Sequence, residues 1–97
     1  MSKLRFEWDN QKAQNNEKKH GISFNEAQTV FYDENARLIY DSEHSSLEEE
    51  RYVLLGMSSL LHLLVVSHTY QKDVEFIRLI SARKATKRER QQYRSFF

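Results

Sequence analysis

Three apolar runs in the second half of the chain constrain its fold more than any other feature. They cover residues 51–57, 61–70 and 74–81 and are rich in Val, Leu, Ile, Tyr and Phe, which strands favour. The connections between the runs are only a few residues long, and such short connections are typical of antiparallel hairpins. The sequence therefore predicts an antiparallel sheet as the centre of the fold.

Helical patterns precede these strands. A polar helix is predicted over about 10–19, and a glycine after it is a typical C-cap residue. Ser23 and Glu26 have the spacing of a capping box, in which each side chain bonds to the backbone of the other residue. This box opens a second predicted helix, which continues to Phe31 or Tyr32.

The remaining elements are a C-terminal helix and two short strands. A second capping box at residues 86–89 opens the helix, which runs through about Arg94, and residues 3–8 and 36–40 have strand-like patterns. We therefore predict an α+β fold in one domain, 1–97. It consists of a small antiparallel sheet of three to four strands, a further short N-terminal strand, two N-terminal helices and one C-terminal helix.

Composition excludes several kinds of site. The chain has no cysteine, so it has no disulfide and no thiol nucleophile, and its two glycines cannot form a Gly-rich phosphate loop. The four histidines are scattered, without the i, i+4 spacing of a helical metal site, so we expect neither metal nor cofactor. The N-terminus lacks a signal peptide and no apolar stretch could cross a bilayer, which predicts a cytoplasmic protein without membrane contact.

The net charge of +1 conceals a strong asymmetry along the chain. Residues 1–75 contain 8 Lys or Arg and 13 Asp or Glu, a balance of −5, whereas residues 76–97 contain 7 and 1, a balance of +6. A basic C-terminal strand and helix suit a polyanion or an acidic partner protein. The alternative is a solvated cationic helix face.

Three arginines lie within or at the ends of predicted strands. Arg51 opens one strand, Arg78 lies inside another, and Arg83 ends it. Guanidinium groups on one sheet face would bind phosphate through bidentate hydrogen bonds and stabilise charge that develops on phosphorus. The alternative is ion pairing, for instance with Glu50 or Glu75. Strict alternation places Arg78 and Arg83 on opposite faces. A bulge, or a strand that ends near Ser81, would bring them together, and the sequence does not decide this.

A histidine lies among the apolar residues of the predicted strand 61–70. Because imidazole titrates near neutral pH, His68 is a candidate general acid or base if it lies near the arginines. The alternative is a half-buried histidine that bonds to the backbone. The residues alone leave both interpretations open.

Several motifs together resemble the BrnT family of toxins. They are Phe6-Glu7-Trp8-Asp9, Lys19-His20-Gly21-Ile22-Ser23-Phe24, Ile77-Arg78-Leu79-Ile80-Ser81-Ala82-Arg83, and Ala85-Thr86-Lys87-Arg88-Glu89-Arg90 with Tyr93. The resemblance covers nearly the whole chain. It implies a RelE-like fold, with helices packed on one side of a small antiparallel sheet. It also implies a ribonuclease toxin of a type II toxin–antitoxin system that inhibits translation.

The resemblance also implies partners and chemistry. BrnT toxins are neutralised by BrnA antitoxins. These carry a ribbon-helix-helix domain, through which the toxin–antitoxin complex binds operator DNA. RelE-like enzymes cut RNA without a metal ion, since the ribose 2′-hydroxyl attacks the adjacent phosphate and leaves a cyclic phosphate and a 5′-hydroxyl. The implied partners of this chain are therefore RNA and a BrnA-like antitoxin, with operator DNA reached only through the antitoxin complex.

Carried over to this sequence, the resemblance assigns roles to individual residues. Phosphate binding and transition-state stabilisation fall to Arg51, Arg78 and Arg83. The candidates for proton transfer are His68, Tyr93 and Glu50. The residues that extend the basic surface toward RNA are Lys84, Lys87 and Arg90.

Two other functions compete with the nuclease. A non-catalytic interaction module would use the same basic face to bind an acidic partner or nucleic acid. A direct DNA-binding regulator is disfavoured, because the sequence has no helix-turn-helix pattern and its basic helix is short. Cleavage of RNA by the purified chain separates the nuclease from both.

Overall fold

The structure, a computed structural model, describes residues 3–95. The strands are β1 (Arg5–Glu7), β2 (Arg37–Tyr40), β3 (Arg51–Met57), β4 (Leu63–Tyr70) and β5 (Phe76–Lys84). The helices are α1 (Asn10–His20), α2 (Phe24–Ala27), which continues as a 3₁₀ segment (Gln28–Tyr32), and α3 (Lys87–Arg94). Within these residues no helix has both the length and the apolar character needed to span a membrane.

The strands form one sheet in the order β1-β5-β4-β3-β2. The four strands from β2 to β5 pair antiparallel with their neighbours along the chain, as predicted. β1 lies beside β5 and pairs parallel with it, so the sheet is mixed. The predicted α+β class and the short N-terminal strand are confirmed, and the parallel pairing is the feature that the sequence pattern did not indicate.

Helices cover both faces of the sheet. Leu54 and Val66 belong to the core on which α1 and α2 pack, and we call this side the α1 face. Their sequence neighbours Leu55 and Val65 face the other way. They pack against Tyr93 of α3, and we call this side the α3 face. The resemblance implied helices on one side only. α3 covers the second side because β3 and β4 carry apolar side chains at consecutive positions, which need cover on both faces.

β5 contains one residue more than the part of β4 that it pairs with. Ser67 pairs with Ser81 and the next residue, His68, pairs with Leu79, which leaves Ile80 without a partner across the ladder. This two-against-one arrangement is a β-bulge. A bulge restarts the alternation of side chains along the strand, so residues before and after it change their relative sides.

The bulge places two of the predicted site arginines on the same face. Arg78 lies opposite Thr69 and Arg83 opposite Val65, and these partners are four residues apart on β4 and therefore share a face. Arg78 and Arg83 are five residues apart and would face opposite sides of a regular strand. The structure thus contains the bulge that would bring the two arginines together on the α3 face.

A buried asparagine of α1 fixes the position of that helix on β5. The Asn16 side-chain amide donates to the carbonyl oxygens of Ile22 (3.0 Å) and Ala82 (2.9 Å), and its oxygen accepts from the Ala82 N–H (3.0 Å). β1 pairs with β5 only as far as Arg78, so the next part of this edge is left without a strand. Asn16 supplies the donor and acceptor that a neighbouring strand would offer there.

The capping box predicted at the start of α2 forms only in part. The Ser23 hydroxyl accepts from the Glu26 N–H (3.1 Å), which is half of the predicted box. The Glu26 carboxylate is used elsewhere: Oε2 accepts from the Ser58 hydroxyl (2.6 Å) and lies 2.7 Å from Nδ1 of His62. Glu26 therefore ties α2 to the turn between β3 and β4.

Replacing Asn16 by Ala is expected to lower the free energy of unfolding by about 2–4 kcal/mol, because it leaves buried backbone groups of β5 and of the α1–α2 connection without partners. Urea unfolding followed by circular dichroism measures this change. The matched control is Asn15→Ala, since Asn15 is exposed and bonds only to Gln11. Equal unfolding midpoints for the two variants would contradict the anchoring role.

Candidate active site

A groove on the α3 face combines two of the predicted arginines. It encloses about 270 Å³ and is lined by Asp41, His44, Arg51, Val53, Val65, Ser67, Ile80, Ser81 and Arg83. Its volume is close to the lower end of the range for small-molecule sites, about 300–1,000 Å³. We call it the arginine groove. Its floor is built from β3, β4 and the bulge of β5, and one wall is the loop between β2 and β3.

Arg51 stands where this loop enters β3. Its Nε donates to a Glu49 carboxylate oxygen at 3.2 Å, and the side chain is 32% exposed. Ser45 fastens the loop at the same point, since its hydroxyl accepts from the Arg51 N–H (2.8 Å) and donates to the Arg51 carbonyl (3.2 Å). An ion pair this exposed contributes about 1 kcal/mol or less, so the guanidinium group remains available to a ligand.

Arg83 is held more firmly, by the first turn of α3. Its two terminal nitrogens donate to the two carboxylate oxygens of Glu89, at 2.8 and 2.9 Å. The bonds from Arg83 are the main reason that the pKa of Glu89 falls to about 2. Glu89 also accepts from the Thr86 N–H, and Thr86 accepts from the Glu89 N–H, so the predicted capping box is confirmed. The cap of α3 therefore sets the orientation of Arg83.

Arg78 lies on the same face but outside the groove lining. Its guanidinium donates to a Glu7 carboxylate oxygen of β1 at 2.9 Å. Arg51, Thr69 and Arg78 form a row across three strands, so the two arginines are about 10 Å apart at the backbone. The ion pairing considered for Arg51 and Arg78 exists, but with Glu49 and Glu7 as the partners.

His68 lies on the opposite face of the sheet, in the core. It is fully buried, its Nδ1 is 3.0 Å from the Val66 carbonyl oxygen, and its ring contacts Phe31, Tyr52 and Tyr70. Among the described residues no hydrogen-bond partner reaches Nε2. Burial lowers the pKa of His68 to about 4. The structure therefore does not bring His68 to the arginines.

Tyr93 anchors α3 to the segment before β2. Its hydroxyl donates to a carboxylate oxygen of Asp33 at 2.6 Å, and the same oxygen accepts from the Met57 N–H at 2.8 Å. Burial and the Asp33 carboxylate raise the pKa of Tyr93 to about 12. Burial alone would raise the pKa of Asp33, but its hydrogen bonds outweigh that effect and lower it. Tyr93 does not line the arginine groove, and its catalytic role stays a prediction.

The basic residues predicted to bind RNA lie at the edge of the sheet and on α3. Lys84 ends β5, and Lys87 and Arg90 are three residues apart on α3, a spacing that places them side by side on a helix. All three are exposed. They can extend a basic surface from the groove along α3.

A larger cavity lies elsewhere and has the opposite charge. It encloses about 740 Å³, and its lining includes Glu7, Glu48, Glu49 and Glu50 against the single cation Lys72. Such a cavity repels a phosphodiester, whereas the arginine groove attracts one. Glu50, the further candidate for proton transfer, belongs to this acidic cavity and does not line the groove.

Asp41 and His44 also line the groove, and the sequence pattern indicates no functional role for either. Nδ1 of His44 lies 2.9 Å from a carboxylate oxygen of Asp41, and the His44 N–H donates to the other oxygen at 3.3 Å. Asp at the first position of a turn commonly accepts from the backbone two or three residues later. The spacing of Asp41 and His44 therefore indicated a turn, but only the fold brings that turn to the arginines.

Comparison with known proteins identifies the family. Residues 8–89 match the family model described as "Ribonuclease toxin, BrnT, of type II toxin-antitoxin system". The chain belongs to the BrnT family. The match includes every residue that lines the arginine groove. Membership of a type II toxin–antitoxin family implies an antitoxin as partner of this BrnT chain.

A solved structure has the same fold. It is the crystal structure of the Brucella abortus ribonuclease toxin, BrnT, with a TM-score of 0.63 and 22% sequence identity. The likeness covers 87% of this chain and 99% of that one. No curated protein matches the chain. The resemblance to BrnT seen in the sequence motifs is confirmed by the family match, and the fold by the structure.

Replacing His68 by Phe is expected to weaken the dependence of stability on acid pH. The pKa of His68 is about 4 in the folded chain against an ordinary value of 6.5, so the unfolded chain binds the proton more readily in this window. Stability is therefore lost as the pH falls from about 6.5 to about 4, by about 2–3 kcal/mol at pH 4.5. Urea unfolding at about pH 7 and 4.5 measures this loss of unfolding free energy. A loss of the same size in the His68→Phe variant and in the wild type would contradict the prediction.

Proposed function

We propose that this BrnT chain is a metal-independent endoribonuclease, a toxin that cuts RNA and inhibits translation until a BrnA-like ribbon-helix-helix antitoxin neutralises it. The observation that carries the proposal is the arginine groove. Arg51 and Arg83 line one cavity on the open part of the α3 face, in a chain that belongs to a family of ribonuclease toxins.

Binding of the scissile phosphate falls to these two guanidinium groups. A phosphodiester in the groove would meet Arg51 from the loop side and Arg83 from the β5 side, with the hydroxyl groups of Ser67 and Ser81 on the floor between them. Planar guanidinium groups match phosphate oxygens in geometry and keep their charge at any physiological pH. The bond to Glu89 holds the Arg83 fork in one orientation before the substrate arrives.

Transition-state stabilisation follows from the same contacts. When the ribose 2′-hydroxyl attacks phosphorus, negative charge accumulates on the two non-bridging oxygens. Donors already aimed at those oxygens lower the barrier, because they need not reorganise during the reaction. The P–O5′ bond then breaks, and the products are a 2′,3′-cyclic phosphate and a 5′-hydroxyl. Guanidinium groups thus supply the charge stabilisation that a metal ion gives in other nucleases.

The RNA chain on either side of the scissile phosphate would follow the basic surface. Arg78 extends the groove across the sheet, and Lys84, Lys87 and Arg90 extend it along α3. A phosphate backbone is bound mainly by such charges, which carry little sequence information. We propose that the antitoxin covers the same surface, that operator DNA is bound only through the toxin–antitoxin complex, and that the toxin acts in the cytoplasm.

One observation favours the non-catalytic alternative. Each of the three arginines already has a carboxylate partner, Glu49, Glu7 or Glu89. An interaction module whose arginines only maintain the fold would have the same pairs. The two functions differ in one measurable respect, which is the cleavage of RNA.

Replacing Arg51 or Arg83 by Ala is expected to lower the rate of RNA cleavage by about 100-fold or more, because each loses a donor to the phosphorane-like transition state. Arg83→Lys is also expected to lose activity, since lysine keeps the charge without the planar fork. In vitro transcribed messenger RNA is incubated with each variant, alone with and without excess EDTA, and in a translating extract that keeps its magnesium. Gel analysis measures the cleavage.

Lys19→Ala is the control, because it removes one positive charge from α1 on the other side of the sheet. It should cleave as the wild type does. Wild-type chain that leaves both RNA samples intact, or Arg51→Ala and Arg83→Ala variants that cleave at the wild-type rate while folded, would overturn the nuclease. Loss of wild-type cleavage of the RNA incubated alone when EDTA is added would overturn the metal-independent mechanism.

A further inference from the structure

An imidazole–carboxylate pair stands at the wall of the arginine groove. Asp41 directly follows β2, and its N–H donates to the Arg51 carbonyl at 2.9 Å, so its backbone is tied to β3. The Asp41 carboxylate holds His44 twice, at the ring Nδ1 (2.9 Å) and at the backbone N–H (3.3 Å). The ring is therefore fixed relative to Arg51, although it belongs to a loop.

The second ring nitrogen of His44 is free to meet a ligand. Its side chain is 62% exposed while that of Asp41 is 19% exposed, so the pair presents the imidazole outward and keeps the carboxylate behind it. Within residues 3–95 no partner bonds to Nε2 of His44. Of the histidines described, His44 is the one that lines the arginine groove. His62 bonds to Glu26 beside α2, and His68 is buried in the core.

We propose that His44 is the general base of the cleavage reaction and that Asp41 is its positioning residue; this rests on the proposed nuclease function. Nε2 of neutral His44 takes the proton of the ribose 2′-hydroxyl as O2′ forms its bond to phosphorus. The P–O5′ bond breaks with its electron pair on O5′, which takes a proton from water. His44 then returns its proton to solvent, so that the enzyme is regenerated and protons balance.

The roles follow from the geometry of the pair. Asp41 accepts from Nδ1, which leaves the lone pair of a neutral ring on Nε2, the nitrogen on the exposed side. The carboxylate also stabilises the imidazolium that forms when the proton is taken, as in other oriented histidine bases. Asp41 thus acts through His44 and need not contact RNA.

Charges on every side of the groove act on this histidine. The charged residues that line the groove with it are Asp41, Arg51 and Arg83. Glu49 and Glu89 form ion pairs with the two arginines. A base is active only when neutral, so wild-type cleavage is expected to rise with pH along an acid limb that belongs to this group of charges.

Replacing His44 by Gln is expected to lower cleavage by about 100-fold or more and to abolish the acid limb, because glutamine cannot accept the proton at any pH. In vitro transcribed messenger RNA, alone and in a translating extract, is cut by each variant from about pH 5 to 9. His20→Gln is the matched control, since His20 ends α1 away from the groove, and it should keep the wild-type profile.

Two further variants separate catalysis from a structural role. His44→Ala should regain part of its activity when free imidazole is added, which a merely misfolded loop would not do. Asp41→Asn should lose less activity than His44→Gln, and the loss should lie in kcat with KM little changed, since His44 remains but the carboxylate that fixes its ring is gone.

The outcomes distinguish this inference from the function it rests on. Wild-type chain that leaves RNA intact overturns both. Wild-type cleavage together with a His44→Gln variant that cuts at the same rate and with the same acid limb overturns the role of His44 alone. A folded His44→Ala that imidazole does not rescue also counts against the base. An unchanged kcat in Asp41→Asn overturns the positioning role of Asp41.

Discussion

Ile80, the extra residue of β5, decides which side chains of that strand share a face. Leu79 and Ala82 are three residues apart, yet both lie in the core of the α1 face. A regular strand that kept Leu79 inward would turn Ala82 outward and Arg83 into the same core, where an unpaired charge is costly. The bulge lets both apolar residues stay inside and keeps Arg83 on the α3 face. The hydrogen bonds of Asn16 to Ala82, just after the bulge, hold this register.

The sequence predicted the local elements well because their signals are local. The run 51–57 became β3 with the same bounds, and the capping box at Thr86 opens α3. The parallel position of β1 beside β5 was not predictable, since no turn joins these strands and most of the chain separates them in sequence. Glu26 illustrates a second limit: its spacing from Ser23 indicated a cap, but the fold offers its carboxylate the partners Ser58 and His62.

The candidate site was predictable in part for the same reason. The sequence singled out the arginines, because guanidinium groups in apolar strands need an explanation, but it could not decide between one face and two without the bulge. His68 was a candidate acid or base because it lies in a strand near the arginines in sequence, but its side chain is buried in the core of the α1 face. His44 lies in a polar loop, where a histidine carries no signal of its own. The role proposed for His44 rests on its contact with Asp41 and on the position of the loop beside Arg51.

The carboxylate partners of the arginines are compatible with substrate binding because they use few of the available donors. A guanidinium group has five N–H donors. In Arg83 two of them bond to Glu89 and a third bonds to the Lys84 carbonyl oxygen at 3.3 Å. The other two donors can meet a phosphate while Glu89 still fixes the plane of the group. Arg51 is held by one bond to an exposed glutamate, which a phosphate can displace at small cost. The groove therefore joins one rigid arginine to one adaptable arginine, and in the proposed reaction the rigid one, set by the cap of α3, would determine where the phosphate lies.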